Sequence, residues 1–132
     1  MHLKFKNLLE ISAKLRGEGG CPWDREQTLE SMKPKMLEEA QELAEAIEKN
    51  DIENIEEEIG DLLFCLIMLT QIASEEKHFD IGSVSEKIAE KLISRHTWVF
   101  GTDKAATAEE AVALWMKNKQ TEAERRSPKK SI

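Results

Sequence analysis

Apolar residues recur at intervals of three and four along most of the chain, which is the spacing of one face of an α-helix. The first such stretch predicts a helix over Leu3–Arg16, and the glycine-rich stretch 17–20 ends it. A loop, Cys21-Pro22-Trp23-Asp24, is expected next. No run alternates apolar and polar residues as a half-buried strand does. The pattern therefore predicts an all-α protein.

Two long helices are predicted in the middle of the chain. A short turn after Thr28 leads into a helix that begins near Pro34, because proline is tolerated in a first turn. That helix ends at Asn50-Asp51. Asp51 then caps a third helix that runs to about Glu76 and is the most apolar of the set.

Two further helices complete the predicted fold. One follows Ser83 or Ser85, and the last starts at a capping box made by Thr107 and Glu110. We expect an antiparallel bundle of about five helices in a single domain over residues 1–124. Residues 125–132 are polar and contain Pro128, so we predict a disordered tail.

Composition excludes several classes of function. The chain has 132 residues and a net charge of −7, and such a field disfavours nucleic acid as a partner. The longest apolar run, Leu62–Leu69, is far shorter than the ~20 residues of a membrane span. Met1–Glu10 does not resemble a secretory signal, so we expect a cytoplasmic protein that binds no membrane. We interpret Cys21 and Cys65 as free thiols, the latter in the core.

Four acidic side chains stand out from the helical pattern. Glu39 and Glu42 border the apolar face of the second helix, three residues apart. Glu58 and Asp61 repeat this spacing on the third helix, within its apolar stripe. Because Leu62–Leu69 is apolar on every side, we expect this helix to be enclosed and both acids to be buried or half-buried.

Buried carboxylates must be neutral, paired or bound to a metal. No lysine or arginine lies between Leu37 and Ala46 or between Ile52 and Ala73, so a metal between the two central helices is the simplest partner. Four oxygen ligands suit magnesium, with manganese as a substitute, and magnesium often takes substrate phosphates as further ligands. The alternatives are ordinary solvated acidic helices and a di-iron bundle. The di-iron bundle requires two ExxH motifs, and only Glu75-Glu76-Lys77-His78 supplies one.

Ordered motifs resemble MazG-type nucleoside triphosphate pyrophosphohydrolases. They are Gly20-Cys-Pro-Trp-Asp24 with Gln27-Thr28, Leu37-Glu-Glu-Ala-Gln-Glu42, Glu58-Ile-Gly-Asp-Leu-Leu-Phe64, Lys91-Leu-Ile-Ser-Arg-His96, Val99-Phe-Gly101, and Trp115 with Lys119. The likeness covers about Leu8 to Glu122. It implies magnesium-dependent cleavage of a nucleoside triphosphate to the monophosphate and pyrophosphate, of the nucleotide-pool housecleaning type, by a homodimer or homotetramer.

The resemblance also implies a role for individual residues. The metal ligands fall on Glu39, Glu42, Glu58 and Asp61, and Glu38 helps to orient or deprotonate the attacking water. For Trp115 and Lys119 it implies base stacking and phosphate contact. The residue pattern alone favours core packing for Trp115.

Lys91 and Arg95 lie four apart on one helix face and form, with Lys87, a basic stripe able to meet phosphates. A solvated stripe is the alternative, and we favour it for Lys87.

One departure from the family pattern concerns the preferred base. Many members of the family have Pro-His where this chain has Thr97-Trp98, which could change the preferred base. A function of another class is also open, namely a non-catalytic helical oligomerisation module whose acidic groove binds a basic partner.

Overall fold

The computed structural model describes residues 1–126, which form helices and no strand. The prediction of an all-α fold is therefore confirmed. The helices are α1 (His2–Arg16), α2 (Pro22–Glu26), α3 (Leu29–Glu48), α4 (Ile52–Glu75), α5 (Ile81–Arg95), α6 (Thr97–Phe100) and α7 (Ala108–Arg126). Among these residues no helix combines the length and the apolar character needed to cross a bilayer.

The long helices α1, α3, α4, α5 and α7 are the five that the hydrophobic pattern predicts, and α2 and α6 are short additions. The predicted loop at Cys21–Asp24 is wrong in part, because Pro22 occupies the first turn of α2, where its fixed φ favours a helix.

The predicted start of the second long helix near Pro34 is also wrong. Thr28 caps α3 at Leu29, and Thr28 and Ser31 exchange hydrogen bonds of 2.8 and 3.0 Å. This capping box begins the helix before Pro34, which is accommodated on an exposed surface inside it.

A short turn fixes α3 against α4. Asn50 adopts φ 53°, the left-handed conformation that ends many helices, and the Asp51 amide donates to the Ala46 carbonyl at 3.2 Å. Asp51 then caps α4 by accepting from the Asn54 amide at 3.2 Å, as predicted. The two helices consequently run back alongside each other as an αα-hairpin.

Contacts divide the chain into two compact units, residues 1–81 and the residues from Gly82 onward. In the first unit, the core of the hairpin consists of Met32 from α3 with Cys65, Met68 and Ile72 from α4. Cys65 is buried there as a free thiol, as predicted.

Two residues of the predicted tail belong to the described part of the chain. Arg125 and Arg126 belong to α7, so the helix continues past the predicted boundary at 124. The rest of the predicted tail, 127–132, lies outside the described residues, and the single domain over 1–124 stays a prediction.

Candidate active site

The hairpin brings three of the four predicted metal ligands together. One carboxylate oxygen from each of Glu39, Glu58 and Asp61 lies within 4.8 Å of the other two, an arrangement able to hold a metal ion. We call these residues the acidic cluster. Glu39 is buried, Glu58 is half-buried and Asp61 is exposed.

The expectation that Asp61 would be enclosed is wrong. It assumed that α4 is covered on every side, whereas Ile59 is 51% exposed and Leu66 is 46% exposed. Part of the apolar surface of α4 is therefore left open by residues 1–126. Glu58 is half-buried, as expected.

Glu42 adjoins the acidic cluster without belonging to the group of three oxygens. The negative charge of Glu39 raises the pKa of Glu42, and burial and the charge of Glu58 raise it further. Glu42 therefore lies close enough to Glu39 and Glu58 to interact electrostatically with both.

Two oxygens of the acidic cluster lack the partners that burial demands. Oε2 of Glu39 and Oε2 of Glu58 are buried and accept no hydrogen bond from residues 1–126. Burial also raises the pKa of Glu58, and the neighbouring charges of Asp61 and Glu39 add to this effect. The site therefore holds more negative charge than its surroundings compensate.

One lysine that the sequence reasoning overlooked is part of this site. Nζ of Lys35 lies 3.0 Å from Oε1 of Glu39, and this hydrogen bond raises the pKa of Lys35. Lys35 lies four residues before Glu39, a spacing that allows an ion pair on a helix. The prediction considered only the segments immediately around the acids and missed it.

Glu38 and Cys65 also interact electrostatically with residues of the site. Glu38, which is predicted to orient or deprotonate the attacking water, is exposed on α3, and its charge contributes to the raised pKa of Glu42. Burial raises the pKa of the Cys65 thiol, and the charge of Glu39 adds to this, which disfavours the thiolate that nucleophilic catalysis requires.

Three of the four predicted substrate-binding residues form a second group, in the unit from Gly82 onward. The Arg95 guanidinium and Nζ of Lys119 each lie 5.2 Å from the centre of the Trp115 ring, within the range of a cation–π interaction. Trp115 is half-buried, so both its role in base stacking and its role in core packing stay predictions.

Arg95 is only 7% exposed, whereas a residue of a solvated stripe would be largely exposed. Its Nε donates to Oε2 of Glu122 at 3.0 Å, and the Ser94 hydroxyl donates to the same oxygen at 3.0 Å. Lys91, one turn earlier on α5, is exposed. The two predicted phosphate ligands therefore differ, since Arg95 is held in an ion pair and Lys91 forms none within residues 1–126.

The unusual Thr97-Trp98 pair begins α6 directly after this group. The Thr97 hydroxyl donates to Asp103 Oδ2 at 2.7 Å and accepts from Asn118 Nδ2 at 3.0 Å. Asn118 also donates to the Arg95 carbonyl at 3.0 Å, which ties the end of α5 to α7. A proline at position 97 would lack the hydroxyl that joins this network.

Comparison with known proteins identifies the family of the chain. Residues 27–100 match the model of the MazG nucleotide pyrophosphohydrolase domain. The crystal structure of a mazG-related protein from Thermotoga maritima is 35% identical, with a TM-score of 0.73, and the alignment covers 87% of this chain and 98% of that one. The chain belongs to the MazG family.

Named MazG relatives are longer proteins. The nucleoside triphosphate pyrophosphohydrolase of Escherichia coli K12 is 40% identical over 120 residues, which are 90% of this chain and 46% of that protein. The nucleoside triphosphate pyrophosphohydrolase/pyrophosphatase MazG of Thermotoga maritima is 46% identical over 97 residues, 74% of this chain and 38% of that one. The chain spans less than half the length of these two relatives.

The matched MazG span contains most of the predicted site. Within 27–100 lie the acidic cluster, Glu38, Glu42, Lys91 and Arg95, whereas Trp115 and Lys119 fall beyond it. Sequence reasoning missed Glu122 and Asn118, whose bonds to Arg95 span 27 and 23 residues. No local spacing could have indicated these two contacts.

Proposed function

We propose that this chain hydrolyses nucleoside triphosphates to nucleoside monophosphate and pyrophosphate, with magnesium bound by Glu39, Glu42, Glu58 and Asp61. The observation that carries the proposal is the acidic cluster, whose two buried carboxylate oxygens accept no hydrogen bond from the described residues. Membership of the MazG family and the names of its relatives support the same reaction.

The residues fit a hard divalent cation. Carboxylate oxygens are the ligands that magnesium and manganese prefer, and a cation would satisfy the buried Oε2 atoms of Glu39 and Glu58. Among the described residues, Lys35 is the only basic side chain that forms an ion pair with the cluster, and it pairs with Glu39 alone. One ammonium does not neutralise three or four carboxylates, so the site retains a net negative charge for a divalent ion.

The proposed reaction distributes tasks among the protein's own side chains. When bound, magnesium would supply charge neutralisation for the phosphates and a lowered pKa for the attacking water. Glu38, exposed one residue before Glu39, orients or deprotonates that water. Lys91 and Lys119 neutralise phosphate charge, and Arg95 acts with Trp115 to hold the nucleotide.

A second copy of this chain is the proposed partner, in a homodimer or homotetramer. Ile52, Ile59 and Leu66 follow one another at seven-residue spacing on α4 and are 71%, 51% and 46% exposed. Such an apolar stripe is the pattern by which helices associate. Light scattering should give a multiple of the 15.1 kDa chain mass, and glutamate at Ile52 and Leu66 should reduce it. A wild-type monomer would contradict this proposal.

Matched substitutions test the catalytic proposal. Glu39→Gln and Glu58→Gln remove charges from the acidic cluster, whereas Glu45→Gln and Glu56→Gln remove exposed charges from the same two helices. We expect pyrophosphate release to fall about 100-fold or more in the first pair and to stay near wild type in the second. Equal activity in all four variants, or no magnesium-dependent release by wild type, would instead favour the non-catalytic module with an acidic groove.

The breadth of substrate use is a separate part of the proposal. We propose a housecleaning role, in which several bases and both sugars are accepted. Pyrophosphate release should therefore vary little across canonical and modified ribo- and deoxynucleoside triphosphates. A strong preference for one canonical base would argue for a dedicated substrate.

A further inference from the structure

Arg95 is the one charged residue that is buried in the unit from Gly82 onward, among the residues of that unit that the structure describes. A buried guanidinium has lost its hydration, so neighbouring groups must stabilise it. Three side chains of α7 contact Arg95, namely Trp115, Asn118 and Glu122. Their positions i, i+3 and i+7 place them on one face of the helix. We call these three residues the Arg95 seat.

Each member of the Arg95 seat contacts a different part of Arg95. Nδ2 of Asn118 donates to the main-chain carbonyl at 3.0 Å. The ring of Trp115 has its centre 5.2 Å from the guanidinium carbon, within the range of a cation–π interaction. Oε2 of Glu122 accepts from Nε at 3.0 Å. The backbone and the guanidinium of Arg95 are therefore both fixed by one face of α7.

Glu122 is itself held in place. Its Oε2 also accepts from the Ser94 hydroxyl at 3.0 Å, and its Oε1 lies 3.6 Å from the Arg126 guanidinium. The hydrogen bond from Arg95 lowers the pKa of Glu122, which keeps this carboxylate ionised at neutral pH. The side chains of Arg95 and Glu122 are 9% and 16% exposed, so water competes little for their charge-assisted bond.

The bond to Glu122 determines which edge of the guanidinium remains for a ligand. Within residues 1–126, the Arg95 side chain forms its hydrogen bond through Nε alone. A guanidinium is planar and carries four further N–H donors on its two terminal nitrogens. Because Glu122 takes the Nε edge, the terminal nitrogens are the edge that a nucleotide can contact.

We propose that Glu122 is a positioning residue for the nucleotide, which it does not contact: it acts by holding the Arg95 guanidinium beside the Trp115 ring. This inference rests on the proposed function, because it takes Arg95 and Trp115 as the pair that holds the nucleotide. Without Glu122, the guanidinium can leave the ring, and the nucleotide has to order it on binding. That cost weakens substrate binding and leaves the chemical step unchanged, so it raises KM and not kcat.

Steady-state kinetics with ATP and magnesium separate positioning from a purely structural role. Glu122→Gln keeps the size of the side chain and removes its charge. The matched control, Glu124→Gln, removes the same charge from an exposed position of α7. We expect KM to rise about tenfold in Glu122→Gln with kcat within about twofold of wild type, and both constants to stay within about twofold in the control. A loss of folded protein alone lowers kcat and leaves KM unchanged, and that result would overturn the inference.

Two further variants test whether Glu122 acts through Arg95. In the Arg95→Gln background, Glu122→Gln has no guanidinium left to position, so KM should change by less than about twofold. An equal rise in KM with and without Arg95 would contradict the inference. Glu122→Asp keeps the charge on a shorter side chain and guards against misfolding, and its KM should rise about threefold. A wild-type KM in every Glu122 variant that folds would refute the positioning role.

Fluorescence of Trp115 tests the geometry without substrate or metal. The chain has three tryptophans, so Trp23→Phe/Trp98→Phe leaves Trp115 as the only one that emits. If Glu122 holds Arg95 beside the ring, Glu122→Gln should make Trp115 more accessible to quenching by acrylamide, as Arg95→Gln does. Quenching that stays at its starting value in Glu122→Gln would show that Arg95 needs no Glu122 to keep its place, and the inference would fall.

The two proposals fail in different ways. If wild type releases no pyrophosphate, the proposed reaction is removed, and the affinity for ATP in EDTA, measured by calorimetry, takes the place of KM. A loss of about tenfold in that affinity in Glu122→Gln, together with the change in quenching, would still support the positioning role. Normal turnover with a wild-type KM in Glu122→Gln would leave the reaction standing and remove the inference. A wild type that neither releases pyrophosphate nor binds ATP would remove both.

Discussion

Replacement of Asp61 by asparagine removes one charge from the acidic cluster at nearly constant side-chain volume. In the folded protein, the charge of Asp61 is the second cause, after burial, of the raised pKa of Glu58. The substitution therefore relieves repulsion in the metal-free state, and Asp61 is exposed, so no buried group loses a partner. The metal-free variant should melt at the same temperature as wild type or above it.

Magnesium should stabilise wild type strongly and the variant only weakly. An ion that binds only the folded arrangement stabilises it by about 2.7 kcal/mol at a concentration of 100 Kd. For a chain of this size, that corresponds to a rise of roughly 10 °C in melting temperature. Asp61→Asn lacks one ligand oxygen charge of the cluster and should lose most of this rise together with its activity.

Thermal melts followed by circular dichroism over a series of magnesium concentrations measure both effects. Glu56→Gln, an exposed charge on the same helix, serves as the control and should respond to magnesium as wild type does. If Asp61→Asn melts well below wild type without metal and keeps its magnesium response, Asp61 is a structural hydrogen-bonding residue and the α4 part of the metal assignment is wrong.

Three further predictions follow from named contacts. Lys35→Met removes the cation paired with Glu39, so magnesium should bind more tightly by calorimetry; weaker binding would contradict this electrostatic reasoning. Alanine at Lys91 or Lys119 should lower turnover without changing magnesium affinity, and unchanged kinetics would return both to the solvated surface. Hydrogen bonds from Arg16 lower the pKa of Glu75. Wild type should therefore be more stable than Glu75→Gln above about pH 5, and this difference in the free energy of unfolding should vanish as the pH falls through the lowered pKa. A difference independent of pH would refute this.

The hydrophobic period was sufficient to predict the long helices, because each buries an apolar stripe. It placed the start of α3 near Pro34, since a proline signals a boundary more strongly than the Thr28–Ser31 capping box that sets it. The short helix α2 was missed because five residues carry no periodic signal.

The acidic cluster and Glu42 were predictable because Glu39 and Glu42 on α3, like Glu58 and Asp61 on α4, lie three residues apart. The burial and the ion pairs of the site residues were harder to predict. The burial of Asp61 was overestimated, since an apolar helix in one chain need not be covered by that chain alone. The pairing of Arg95 with Glu122 depends on how α5 packs against α7, and local sequence spacing does not encode that contact.

Phosphorus-31 NMR of the products of one nucleoside triphosphate, with the purified chain and magnesium, tests the central claim most directly. Magnesium bound at the acidic cluster should direct hydrolysis between the α- and β-phosphates, so nucleoside monophosphate and pyrophosphate should accumulate in equal amounts. Addition of EDTA should abolish both signals. Nucleoside diphosphate with orthophosphate, or an unchanged triphosphate, would contradict the account.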